Sequence, residues 1–220
     1  SFNLDLMHGL PNQTLEEALD DLRQAIELAP PHLSWYQLTI EPNTMFAYRP
    51  PTLPDDDELW DIFEQGHQLL IEAGYQQYET SAYAKPGFQC QHNLNYWRFG
   101  DYLAIGCGAH GKLTFPDGDI LRFSKTKHPK GYLRGEYLYE EKNVEKNDRA
   151  FEFFMNRFRL LEAVPKQEFD HYTGLSQSAV KNQIDFAIQQ NYIVETPDFW
   201  QITKHGKLFL NELLALFLDE

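Results

Sequence analysis

The sequence predicts an α/β fold built from strand–helix repeats, followed by a small winged-helix-like α+β domain. Two strand–turn–helix units within the first 74 residues point to the first part. A change to helical apolar spacing after residue 147, closed by a short hairpin, points to the second. At 220 residues and 42% apolar content the chain is long and apolar enough to bury a core.

Phe2, Leu4 and Leu6 alternate with Asn3, Asp5 and Met7, which is a strand pattern. His8-Gly9-Leu10-Pro11 breaks it, and Thr14 with Glu17 three residues on forms a capping box. Such a unit belongs to an α/β barrel or a doubly wound sheet. A chain that starts inside one reads as the back half of a larger protein. Leu15, Leu19, Leu22 and Ile26 share a face of the helix over 15–29, which Pro30-Pro31 stops. Leu33–Ile40 reads as the second strand, with Trp35, Gln37 and Thr39 on one face. Residues 42–54 form a Pro-rich loop. Asp55 to Glu58 load the start of a helix with core stripe Leu59, Ile62, Phe63 and Leu70, capped by Gly74. This β-α-β-α order predicts a parallel sheet.

Tyr75–Tyr83 reads as one further strand, Ala84–Asp101 as an aromatic-bearing loop and Tyr102–Gly106 as a short strand. Lys112–Phe115 and Ile120–Phe123 pair as a hairpin about Pro116-Asp117-Gly118-Asp119. The polar run Glu140–Asp148 reads as a linker. Beyond it Phe151, Phe154, Phe158 and Leu161 share a helical face, a short helix spans Pro165–Tyr172 and ends at Gly174, and Ser176 or Ser178 caps a helix carrying Val180, Ile184 and Ile188. A hairpin of Tyr192–Thr196 and Phe199–Thr203, then an apolar helix over Leu208–Leu218, complete a winged-helix pattern. The domain expectation is therefore 1–125, a connecting segment 126–146, and 147–220.

The charge of −14 disfavours nucleic acid and anionic membrane surfaces. Residues 147–220 carry 7 Lys and Arg against 11 Asp and Glu, a net of −4, and the helix that would read DNA offers Lys181 followed by Asp185. A structural or docking role suits that domain better. No apolar run nears the ~20 residues of a membrane span. Cys90 and Cys107 do not make a disulfide framework, which fits a reducing, cytoplasmic setting.

The residues that could carry chemistry follow from this frame. With Phe2, Leu4 and Leu6 toward the covering helices, Asn3, Asp5 and Met7 are expected to face the barrel interior, Asp5 near a strand's C-terminal end, where α/β barrels place ligands. It is a ligand contact or a cap of the following turn. Gln37 and Thr39 share the argument more weakly. Gly106-Cys107-Gly108-Ala109-His110-Gly111 permits close backbone approach to a ligand, or is a tight turn. It has neither the P-loop ending nor a Rossmann fingerprint, and Cys107 reads as a buried, inert thiol. His92, on the aromatic loop, is a binding residue or a structural histidine bonded to a backbone carbonyl. With two cysteines and no Cys-x-x-Cys or His-x-x-x-His, the chain is not expected to build a zinc or iron–sulfur site by itself.

Asp5-Leu6-Met7-His8-Gly9-Leu10-Pro11-Asn12-Gln13-Thr14 resembles a motif of the oxygen-independent coproporphyrinogen III oxidase-like radical S-adenosylmethionine (SAM) family, and Tyr36–Thr44 resembles its next strand. Tyr78–Gly87, His92–Trp97 and Asp101–Gly111 resemble the heme chaperone (HemW) branch of that family. The chain departs from it at Cys107, where a Pro is usual, and at Ala82, where an Asn is usual. The resemblance implies the C-terminal strands and helices of an incomplete (β/α)6 TIM-like barrel, from about its fifth strand, then the winged-helix-like domain. It implies SAM contacts at Asp5, Gln37, Ile105 and Gly106, and a heme site at His92 and Tyr96, with His92 a candidate iron ligand. In the full-length protein it implies a [4Fe–4S] cluster, SAM and heme. The three-cysteine cluster motif is absent here, so this chain alone is expected to be inactive and to hold none of them tightly.

The function implied is binding heme and SAM and delivering heme to acceptor proteins. Oxidative decarboxylation of coproporphyrinogen III, and a non-catalytic protein-binding module, are the alternatives. If the first strand lacks an upstream neighbour, its edge invites self-association. Sedimentation should then show oligomers or exchange should show fraying at residues 2–7; a strict monomer with strong amide protection there contradicts this.

Overall fold

In the computed structural model, which describes residues 1–218, the opening alternation folds as β1 (Asn3–His8), with Leu4 and Leu6 turned toward the helices and Asn3, Asp5 and Met7 exposed. Thr14 caps α1 (Leu15–Glu27): Glu17 N donates to Thr14 Oγ1 at 3.3 Å and Thr14 N donates to Glu17 Oε2 at 2.9 Å. β2 (His32–Gln37) runs parallel to β1 with Asp5 opposite Ser34. A short helix, α2 (Met45–Tyr48), interrupts the Pro-rich loop. A second capping box, Asp55 with Glu58, opens α3 (Asp56–Glu72).

The expected single strand over Tyr75–Tyr83 is two, β3 (Gln76–Glu79) and β4 (Ala82–Ala84), because the chain reverses at Thr80-Ser81. The sheet order is β1-β2-β4-β3, and β4 pairs antiparallel with β2, so the all-parallel expectation holds for β1 and β2 only. The core under this sheet joins Ala18, Leu22 and Ala25 of α1, Leu33 and Trp35 of β2, and Ile62 and Leu70 of α3. Each fully buried leucine or isoleucine contributes about 1.5–3 kcal/mol. These elements form one compact unit, Ser1–Cys90.

Gln91–Glu220 forms the other unit. It begins with α4 (Gln91–Trp97), a helix where a loop was expected. Only Leu94 of its seven residues is buried, so no apolar stripe marks it. Tyr102 makes one bridge, to Lys112, instead of opening a strand over 102–106; Leu103 and Ile105 are 71% and 82% exposed, so no buried face organises one. The hairpin is present as β5 (His110–Thr114) and β6 (Ile120–Lys125). After α5 (Pro129–Leu133), β7 (Leu138–Asn143) adds to β6, where a linker was expected. All six residues of β7 are exposed, and a strand wetted on both sides carries no apolar alternation.

Next come α6 (Asp148–Arg157), β8 (Val164–Pro165), α7 (Lys166–Thr173) and a 3-10 turn at Gln177–Val180. α7 ends at Gly174 in the left-handed conformation (φ 65°), as its sequence implied. α8 (Lys181–Gln189), β9 (Ile193–Glu195), β10 (Phe199–Ile202), α9 (Lys204–Leu208) and α10 (Leu210–Ala215) follow. The apolar helix expected over Leu208–Leu218 is the shorter α10, and α9 before it was not expected. The sheet order is β8-β10-β9. Phe153 and Phe154 of α6 and Phe158, the residue that caps its end, are buried, while Phe151 and Leu161 are partly buried at the margin. Phe154 stacks with Phe158 at 4.9 Å and with Phe169 at 5.4 Å.

Gly66 of α3 gives one checkable consequence. A β-carbon there would overlap the Trp35 indole. Gly66→Ala gains about 1 kcal/mol of helix propensity but overpacks the ring at a cost of about 1–3 kcal/mol. Urea unfolding should show net destabilisation; a raised midpoint contradicts the close packing.

Candidate functional site

On the face of β1 and β2 away from the helices, five polar groups form a directed chain. The Cys90 amide donates to the Tyr78 hydroxyl at 3.3 Å. Tyr78 lies 2.7 Å from His32 Nε2, and His32 Nδ1 lies 2.7 Å from Asn3 Oδ1. Asn3 Nδ2 donates to Asp5 Oδ1 at 2.8 Å. A neutral His32 protonated on Nδ1 accepts from Tyr78 and donates to Asn3, so every donor points toward Asp5. Burial pushes the His32 pKa down, against the pull of the Asp5 charge. Asp5 is exposed and is the terminal acceptor. The alternation of Asn3 with Asp5, and of His32 with Ser34, was the available signal for this network; His32 and Tyr78 were missed because they stand 29 and 46 positions from their partners.

Gln37 does not share that face. The register sets Met7 opposite Tyr36 and His8 opposite Gln37. Trp35, two residues before Gln37, is buried against α1 and α3. Gln37 is exposed at the C-terminal end of β2, on the side of Trp35. His8 is buried there too, its ring 4.2 Å from the Trp35 ring. Among the described residues His8 Nδ1 has no hydrogen-bond partner, and burial lowers its pKa to about 4.

The other candidates lie in the second unit. Gly106 adopts φ +98° and its amide donates to the Tyr132 hydroxyl at 3.0 Å, while Ile105 presents its side chain outward. Cys107 is exposed, which corrects the expectation of a buried thiol: the turn has no apolar cover. His92 and Tyr96 lie one helical turn apart on α4, their rings edge-on at 4.6 Å. His92 is exposed, and among the described residues its ring makes no hydrogen bond, so the backbone-bonded alternative does not hold. Tyr96 in turn meets Tyr102 at 4.3 Å. Arg122 Nη1 donates to the Tyr102 hydroxyl at 2.7 Å, and its Nε and Nη2 donate to Glu152 at 3.0 and 2.6 Å. Tyr102 and Arg122 were not singled out by sequence; only strand register brings them to the aromatic pair.

Residues 144–209 match the family model of the HemN C-terminal domain. Over most of its length the fold is that of part of a radical SAM enzyme, the coproporphyrinogen III oxidase HemN from Escherichia coli: the TM-score is 0.76 at 18% identity, covering 98% of this chain and 54% of that one. Among curated proteins, the heme chaperone HemW of Haemophilus influenzae is 90% identical over 220 residues, all of this chain and 57% of that protein. HemW of Escherichia coli is 74% identical over 220 residues, all of this chain and 58% of that protein. The chain is thus similar over its whole length to HemW proteins, and over residues 144–209 to the HemN C-terminal domain. It spans somewhat over half the length of these relatives.

His8 makes folding pH-dependent. Its folded pKa is lowered to about 4, below the unfolded value of about 6.5, so the unfolded state binds more protons between those values. Stability should be full above pH 6.5 and should fall toward pH 4 by at most about 1.4 kcal/mol per pH unit. His8→Gln should flatten that slope in denaturant titrations at several pH values; an unaltered slope contradicts the assignment.

Proposed function

We propose that this chain is the heme-binding part of a heme chaperone that also uses SAM and passes heme to acceptor proteins. The observation that carries the reading is the 90% identity, over all 220 residues, with a protein named as a heme chaperone. The geometry supports a ligand site at His92, since an exposed imidazole with no hydrogen bond among the described residues is open to iron. Tyr96 holds the ring edge-on and orients it. Heme bound there would supply an iron centre, and His92 is the residue that would offer it a nitrogen.

For SAM, Asp5 is the carboxylate best placed to accept hydrogen bonds, because the Asn3–His32–Tyr78 chain orients it and leaves it exposed. Gln37, Ile105 and Gly106 are assigned to the same ligand by resemblance, Gln37 from its strand end. A [4Fe–4S] cluster would draw its thiolates from residues beyond this sequence. In this reading 1–125 belong to the TIM-like barrel portion and its accessory strands, 126–146 connect, and 147–220 form the winged-helix-like domain. In this reading the protein works in the cytoplasm, the setting its cysteine usage fits. Among the described residues no helix is long and apolar enough to cross a membrane. β1 stands at one edge of its sheet, which keeps self-association through that edge open to the sedimentation test.

Heme titration of the intact protein and of His92→Ala tests the reading. The variant should bind about tenfold more weakly and lose the Soret position of the parent. An unchanged Soret band and affinity exclude His92 as ligand. Anaerobic assay with coproporphyrinogen III separates the oxidase alternative: robust formation of protoporphyrinogen overturns the chaperone reading.

A further inference from the structure

Strand register in the second unit sets three cations side by side. Lys112 of β5 pairs with Arg122 of β6, and Arg122 pairs with Lys142 of β7. Directly opposed residues share a face, and like charges so placed repel. Two of the three are neutralised. Lys112 Nζ meets Asp101 Oδ1 at 2.9 Å, and Arg122 meets Glu152 at 2.6 Å. Lys142 has no ion pair or hydrogen bond among the described residues and is exposed. Arg122 uses three of its five N–H donors on Tyr102 and Glu152, and two remain.

Arg122 and Lys142, but not the buried Lys112, border a cleft of about 340 Å³ whose polar lining is Tyr102, His110, Arg122, Ser124, Glu140 and Lys142. His110, Ser124 and Glu140 are in register one step along, on the same face. Tyr102 is common to the cleft and to the ring series from His92, through contacts of 4.6 and 4.3 Å. The volume lies at the low end of ligand pockets, so it suits one arm of a ligand, not a whole tetrapyrrole. Heme carries its iron at the ring centre and two carboxylates on flexible arms at one edge. The ring series and the cleft meet at Tyr102, so an acid arm of a tetrapyrrole held at His92 would have the cleft as its neighbour.

We infer that this cleft binds a carboxylate arm of the tetrapyrrole, through Lys142 and the spare donors of Arg122, while His92 takes the iron. The inference rests on the proposed heme function and adds residues to it. The Lys142 ammonium and the Arg122 fork supply charge-assisted hydrogen bonds. The Ser124 hydroxyl and the His110 ring add further polar partners. Glu140 opposes the acid and sets an upper limit on its affinity.

The test compares heme with its dimethyl ester, which has the same ring and iron but no carboxylates, as ligands of the intact protein. The acid should bind about tenfold more tightly or better, the scale of one hydrogen bond to a charged group. Lys142→Gln should narrow that preference and Glu140→Gln should widen it. Both residues are exposed on a strand that buries no side chain, so both variants should fold. If acid and ester bind equally, or if both variants leave the ratio unchanged, the inference fails and the heme reading stands. If neither ligand binds, the heme reading fails and takes the inference with it.

Discussion

The arrangement of the second unit depends on a buried ammonium. Lys112 is 1% exposed. Its Nζ donates to the Phe99 carbonyl at 3.0 Å, Asp101 Oδ1 at 2.9 Å and Thr114 Oγ1 at 2.9 Å, and lies over the Phe99 ring at 4.2 Å. All three donors are satisfied, the condition under which burying the charge is tolerable. Burial depresses the Lys112 pKa while Asp101 sustains the charged form. Phe99 itself sits in the left-handed turn that ends α4 (φ 64°), with its amide on the Tyr96 carbonyl at 3.0 Å and the Gly100 amide on the Asn95 carbonyl at 2.8 Å. The same lysine bridges backbone to backbone with Tyr102, in two hydrogen bonds of 3.0 Å. Tyr102 is the residue on which the aromatic series from α4 and the Arg122 guanidinium converge. Pull Lys112 out and the meeting point of ring and charge loses its anchor.

The first unit rests on a different constraint, the period of two in β1 and β2. One parity supplies Leu33 and Trp35 to the helices; the other lines up Asn3, Asp5, His32 and Ser34. His32 to Trp35 are all buried, so β2 must satisfy polar groups on one face while packing hydrocarbon on the other. The Cys90–Tyr78–His32–Asn3–Asp5 chain is the solution on the polar face. It leaves the carboxylate oriented yet open. Each buried polar group on that face thus has a partner, and the chain ends on a carboxylate that water can reach.

Much of this was legible in the sequence where local chemistry decides. Thr14 with Glu17 marked a helix start, Gly174 marked an end, and the β5–β6 turn lay in Pro116–Asp119. Asp5 was placed on its face by alternation alone. The failures share a cause. Gln37 was grouped with Asp5 because alternation gives the parity within each strand but not the register between them; the pairing of Asp5 with Ser34 puts Gln37 on the Trp35 face instead. α4 and β7 were invisible to hydropathy, since one buries a single residue and the other buries none. The partners Tyr102 and Arg122 are brought to His92 and Tyr96 by pairings across strands, which no window of sequence contains.

β7 has a consequence beyond geometry. Its hydrogen bonds to β6 depend on backbone, and its side chains contribute nothing to the core. Residues there can be exchanged at little cost in stability, unlike Arg122, whose guanidinium is tied to both Tyr102 and Glu152. The fold therefore separates a rigid inner cation from a freely variable outer one. Selection acting on a single wet strand could retune the charge of the cleft from one lineage to another, with the scaffold beneath it unchanged.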